Sequence, residues 1–270
     1  MFAVVQHQQK RPRPQVLTKR LQQGAAWLFT HAGDFARARA LCELQPGAEV
    51  RLGEFLGSIV RGFAELGSRR YPAALRAFEE VTSQPEKNRL ALMDWILNLP
   101  LRLGLGQYWL ARRQFARARE QMQELCRLAA VPGERTYLAL GHQGLAEASL
   151  GEGDRERAQH EVAEALVVLD GFESPVAEWR VCATAARVEE ARDRRSRAEA
   201  FRGRAAAALE QLATCLKDDR ELCHSFLAQP GVAAVLRNAK LVDKTALPAK
   251  GTTPGRVGRT RRSHHPQRPS

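Results

Sequence analysis

Isoleucine is almost missing from this chain of 270 residues: Ile59 and Ile96 are the only two. Aromatic residues amount to 6%. Strands favour β-branched and aromatic side chains, so their scarcity argues against a β fold. Cysteine occurs five times, at Cys42, Cys126, Cys182, Cys215 and Cys223, with no C-x-x-C pair. An odd count without paired spacing argues against both a disulfide framework and a zinc site. The cysteines are therefore expected as small core residues in a reducing compartment. No stretch approaches the roughly 18 apolar residues of a membrane span. The opening MFAVVQHQQKRPRPQ has too short an apolar run for a signal peptide. These absences predict a cytoplasmic chain that meets no membrane.

Catalytic signatures are absent too. The sequence contains no G-x-x-x-x-G-K-[ST] loop, no G-x-S-x-G elbow and no H-E-x-x-H pair. Gly151-Glu152-Gly153-Asp154 has the glycines of a phosphate loop but no strand before it, which the βαβ context would require. His31, His142, His160 and His224 fall in different segments, and the adjacent Cys223-His224 has no further ligands near it. Glu189-Glu190 point in different directions on a helix and read as a solvated face. The expectation is a protein without catalytic residues, cofactor or metal.

Net charge is +12, and its placement matters more than its size. Residues 1–20 carry Lys10, Arg11, Arg13, Lys19 and Arg20 with no acid, while residues 237–270 carry nine Lys or Arg against Asp243 alone. The ends thus hold all of the excess, and residues 21–236 are close to neutral, at about −1. Beyond Val242 there is almost nothing apolar to bury, so 1–15 and 237–270 are expected as disordered basic segments around a folded body, 16–236.

That body is rich in Ala, Leu, Arg, Glu and Gln, all good helix formers. It also repeats itself. Five segments share a polar or glycine turn, often an aromatic, and then an alanine: Gly33-Asp34-Phe35-Ala36-Arg37-Ala38, Arg69-Arg70-Tyr71-Pro72-Ala73-Ala74, Arg113-Gln114-Phe115-Ala116-Arg117-Ala118, Gly153-Asp154-Arg155-Glu156-Arg157-Ala158, and Asp193-Arg194-Arg195-Ser196-Arg197-Ala198. The last alanines lie 36, 44, 40 and 40 residues apart. Apolar positions at helical spacing flank the turns, such as Leu101, Leu105, Tyr108 and Trp109 before the third and Val162, Ala165, Leu166 and Leu169 after the fourth. Pro46, Pro85, Pro132 and Pro175 mark the far ends of the hairpins. The unit is helix, tight turn, helix, proline-marked link. Ala38, Ala74, Ala118, Ala158 and Ala198 are expected at close helix crossings, with the aromatic three residues earlier filling the wedge between the two helices. The long interval, containing Pro100 with Gly104 and Gly106, predicts a bent or extra helix between Glu86 and Ala111.

Leu105-Gly106-x-x-Trp109 with Phe115-x-x-Ala118, and Gly33-Asp34-Phe35-x-x-Ala38, resemble the tetratricopeptide repeat (TPR). Leu145-Ala146 with Gly153-Asp154 and Ala158 is a third copy. The family's first tryptophan is absent, and the fourth and fifth segments lack the aromatic. The period near 40 is similar to that of the long-period TPR regions of bacterial maltose-activator (MalT)-type regulators and signalling kinases. The ending Ser225-Phe226-Leu227-x-x-Pro230-x-Val232-x-x-Val235-Leu236 resembles the last helices of such regions.

Together these readings predict an all-α fold, an α-solenoid of about five antiparallel helix hairpins forming a TPR-like superhelix. The resemblance implies a concave groove lined by first helices, which would bind a partner protein or peptide in bacterial signalling or transcriptional regulation. Trp27, Phe63, Gln107, Glu147 and Arg187 are its candidate groove residues, each eleven residues before a repeat alanine. Packing is the competing reading of Trp27 and Phe63. Two alternatives remain at this level: a basic nucleic-acid-binding protein, which the neutral body argues against, or a C-terminal piece of a larger ATP-dependent regulator or kinase.

Overall fold

A computed structural model describes residues 15–43, 51–83 and 94–239. The expected basic ends, apart from the residues at their inner edges, and Pro46 and Pro85 lie outside the described residues. Within these, the chain forms twelve α-helices and no strand. They are α1 (Gln15–His31), α2 (Phe35–Glu43), α3 (Arg51–Gly67), α4 (Tyr71–Thr82), α5 (Asp94–Ala111), α6 (Phe115–Ala130), α7 (Arg135–Glu152), α8 (Arg155–Leu169), α9 (Pro175–Ala191), α10 (Arg195–Cys215), α11 (Arg220–Ala228) and α12 (Pro230–Asn238). The described helices run from residue 15 to residue 238.

Five hairpins, α1–α2 to α9–α10, stack in sequence, and α11 and α12 follow. The five turns are the same structure. Each places one residue in the left-handed region five positions before the repeat alanine: Gly33 at φ 77°, Arg69 at 60°, Arg113 at 57°, Gly153 at 84° and Asp193 at 60°. Each also closes the first helix with the same pair of backbone bonds. In the first turn, Gly33 N donates to Thr30 O and Asp34 N to Phe29 O; in the fifth, Asp193 N donates to Glu190 O and Arg194 N to Glu189 O. These two bonds around a left-handed residue satisfy carbonyls that a helix end otherwise leaves open. The second helix then starts with the repeat alanine's N–H bonded to the residue four before it, as from Ala118 to Gln114 O.

Three of the five turns hold a side chain where glycine is the relaxed choice. Arg113→Gly is accordingly expected to stabilise the protein by up to about 1 kcal/mol by removing left-handed strain. Gly153→Ala should lose about as much by introducing it. Denaturant midpoints of the two variants check both signs.

The repeat alanines Ala38, Ala74, Ala118, Ala158 and Ala198 are all completely buried. The aromatic before them reaches further than the wedge of its own hairpin. A Cβ added at Gly67, the end of α3, would fall 2.2 Å from the Phe35 ring, and one at Gly151, near the end of α7, 2.3 Å from Phe115. Phe35 and Phe115 therefore seat on the first helix of the following hairpin, where glycine leaves them room. A second large side chain repeats the device. Phe78 of α4 lies against Gly62 of its own hairpin and Gly104 of the next, and Met122 of α6 lies against Gly106 and Gly144. Arginines just after the alanine add polar links: Arg39 donates to Ser68 Oγ at 2.9 Å, and Arg119 pairs with Glu152.

Curvature follows from these contacts. Successive first helices α1, α3, α5, α7 and α9 touch one another, whereas successive second helices make no comparable contact. First helices therefore form the inner layer and second helices the outer. The stack curves far enough for its ends to meet. Gln229, at the start of α12, donates through Nε2 to His31 O of α1 at 3.0 Å. Arg37 of α2 pairs with Glu221 of α11 at 3.0 Å. Gly33 lacks the Cβ that would fall 2.4 Å from the Gln229 side chain. Beneath these contacts one apolar cluster joins Ala25, Phe29 and Ala38 from the first hairpin with Leu209, Phe226 and Leu236 from the last three helices.

One local expectation needs correction. Only Cys182 is fully buried, while Cys42, Cys126 and Cys223 are half-buried and Cys215 is exposed at the last residue of α10. A helix end frays and turns, so an apolar local context did not guarantee burial there. The stretch with Pro100 is a single helix as far as it is described, with Pro100 inside α5; residues 84–93 lie outside the described residues.

Candidate interaction surface

The inner layer carries the candidate groove row, and the stack brings its members together in pairs. Trp27 of α1 meets Phe63 of α3 edge to face, with ring centroids 5.3 Å apart. Phe63 in turn meets Phe78 at 5.6 Å. Both rings are half-buried against the apolar cluster of α3–α5, so they pack the inner layer while presenting one edge from it. Glu147 of α7 meets Arg187 of α9: Arg187 Nη1 donates to Glu147 Oε1 at 2.6 Å. Thr184 Oγ1 also donates to Glu147, at 2.7 Å, and Gln143 Nε2 donates to Thr184 at 2.9 Å. Gln107 stands between the pairs, half-buried, with no hydrogen bond from its side chain to either. Equal spacing from the repeat alanine thus brings Trp27 against Phe63 and Glu147 against Arg187. The inner face is aromatic on its α1–α3 side and polar on its α7–α9 side.

Two residues that sequence reasoning did not single out join it. His31 keeps an exposed edge but is hemmed in by protein and stacks edge to face on Trp27 at 5.0 Å. Burial first, and the positive charge of Arg180 second, push its pKa down to about 4. Arg180 of α9 is half-buried, lies over the Trp179 ring at 4.4 Å, and donates through Nη1 to Val176 O at 2.8 Å. Burial pushes its guanidinium down to about 10. His31 and Arg180 lie 149 positions apart in the chain, so no local pattern could have joined them.

A lowered histidine pKa has a definite sign in stability. The unfolded chain takes up a proton near pH 6.5, whereas folded His31 resists it until about 4. The stability tied to neutral His31 is complete above 6.5 and is lost as pH falls from there toward 4. Across that window the protein should lose stability faster than a His31→Gln variant does. Denaturant midpoints of both proteins at stepped pH check it.

Other titratable residues serve the framework. Glu189 is not on a solvated face as expected: it is buried at 6% exposure and pairs with Arg194 at 3.7 Å. The turn folds Arg194 back over the end of α9, which a flat helical wheel does not show. Glu65 repeats the arrangement with Arg70 at the end of α3. Glu190 is exposed and pairs with Arg202. His142 Nδ1 lies 2.9 Å from Glu161 across the α7–α8 hairpin, while His160 and His224 are exposed. Burial pushes the thiols of Cys126 and Cys182 up to about 12 and 11, opposite to the shift that activates a nucleophile. Among the described residues no helix is long and apolar enough to cross a membrane. The same residues contain no group of three or more His, Cys, Asp or Glu placed to hold a metal ion. Compared with known proteins, the chain matches no protein-family model and no curated protein.

Proposed function

We propose that this protein is a TPR-like interaction scaffold that holds a partner polypeptide against its concave inner face, in signalling or transcriptional regulation, and that its role is recognition and not catalysis. The observation carrying this reading is the row Trp27, Phe63, Gln107, Glu147 and Arg187 on one face of the inner layer. A row that is aromatic at one end, ionic at the other and open at Gln107 offers an extended segment both apolar area and polar direction. The residues that shape the curve, above all the buried alanines, are separate from those that face the partner. Such a division lets the face vary while the stack is kept.

A photo-cross-linking side chain placed at Gln107 tests the reading against one placed at Glu164, which is exposed on outer helix α8. In native cytoplasm the Gln107 position should yield a discrete adduct that excess unlabelled protein competes away, and the Glu164 position should not. Equal capture from both faces would remove the concave face as the binding surface.

A further inference from the structure

Of the acids on α9, every one already has an arginine. Glu178 pairs with Arg204 at 3.1 Å, Glu189 with Arg194, and Glu190 with Arg202. On the facing helix α7, Glu147 is taken by Arg187. Arg180 is left over: among the described residues no carboxylate lies within ion-pair distance of it. It is half-buried, with its guanidinium carbon 4.4 Å from the Trp179 ring centroid and one N–H spent on Val176 O. The side chain facing it from α1 is His31, which is a neutral ring at pH 7 and supplies no counter-charge.

A half-buried cation with no paired anion attracts a carboxylate that reaches it more strongly than a fully hydrated one does. A guanidinium that lies over an aromatic ring and spends one N–H on a carbonyl keeps further N–H groups to offer, and a carboxylate can meet two of them with parallel hydrogen bonds. Trp27, edge to face with His31, adds aromatic surface on the same side of α1. We propose that the inner face between α1 and α9 is a carboxylate site for an acidic partner segment, in which Arg180 binds a Glu or Asp side chain and Trp27 covers an adjacent apolar one. The proposal rests on the reading that the inner face binds polypeptide, and it names the chemistry of the bound segment. Charge also rules out the chain's own ends as the occupant: they are strongly basic and Arg180 repels them.

The test uses the full chain and three fluorescein-labelled peptides of equal length, alternating Leu with Glu, Leu with Gln or Leu with Lys. Binding is followed by anisotropy and by intrinsic tryptophan emission, which Trp27 and Trp179 report from beside the site. The Leu–Glu peptide should bind best and alter tryptophan emission. Arg180→Gln should weaken it roughly tenfold or more, the worth of a charged hydrogen bond. Arg180→Lys, which keeps charge but loses the paired N–H groups, should fall between. Arg157→Gln, exposed on α8, should change nothing. Failure of the wild type to prefer Leu–Glu over Leu–Gln overturns the proposal, as does undiminished binding by both folded Arg180 variants. A Gln107 cross-link that persists in either case shows that the acidic preference has failed while the concave reading stands. A cross-link that appears equally at Glu164 would show the converse.

Discussion

Phe78→Ala will cost about 3–5 kcal/mol of stability, the range for truncating a fully buried aromatic. The upper end of that range is expected because of what surrounds the ring. Phe78 is completely buried, and two of its walls are glycines, Gly62 of its own hairpin and Gly104 of the next. Backbone at a glycine has no side chain to swing into the space left behind, so the cavity cannot collapse. The edge-to-face contact with Phe63 at 5.6 Å is lost as well, a further contribution of about 0.5–1.5 kcal/mol. Phe201→Ala on α10, whose ring is half-buried, should cost clearly less. Urea midpoints of the two variants give the comparison. Equal costs would mean that Phe78 does not couple the second and third hairpins as described.

Ala118→Leu will destabilise by roughly 1–3 kcal/mol through overpacking. Ala118 opens α6, is completely buried, and is tied by its N–H to Gln114 in the turn. The turn's own geometry, with Arg113 fixed in the left-handed region, holds the start of α6 against the end of α5. The added methyl groups must therefore force α5 and α6 away from each other against a short turn that keeps them together. Ala116, two residues earlier on the same helix, is exposed, and Ala116→Leu is the matched control. Hydrogen exchange should show the lesion of Ala118→Leu concentrated in α5–α8 and fading in remote hairpins, as in a nearest-neighbour stack. Indistinguishable midpoints for the two variants would refute the register of the repeat.

Where a property recurs along the chain, it was readable in advance. The five alanines stand at the same point of five identical turns, and the eleven-residue offset to Trp27, Phe63, Gln107, Glu147 and Arg187 survives folding because every first helix leads into the same turn. Where a property depends on what lies across the molecule, the chain gave no notice of it. Glu189 looked solvated because the pattern of one helix cannot include Arg194 folding back from the turn. The aromatic Phe115 looked local, although the glycine that admits it, Gly151, belongs to the next hairpin. Gln229 has no periodic counterpart at all, yet it bonds the backbone at His31, 198 residues away.

That last contact limits how such a molecule can grow. In an open stack each unit answers only to its neighbours, so a hairpin gained or lost at one end leaves the rest in place. Here the first hairpin also answers to the last helices, through Gln229, Glu221 and the cluster beneath them. A sixth hairpin inserted anywhere would carry α11 and α12 past α1, and one hairpin fewer would stop them short. The number of units is therefore a property of the whole circuit and not of any member. Variation is left to the lengths of helices and links, and the repeat alanines stand 36, 44, 40 and 40 residues apart along the same stack.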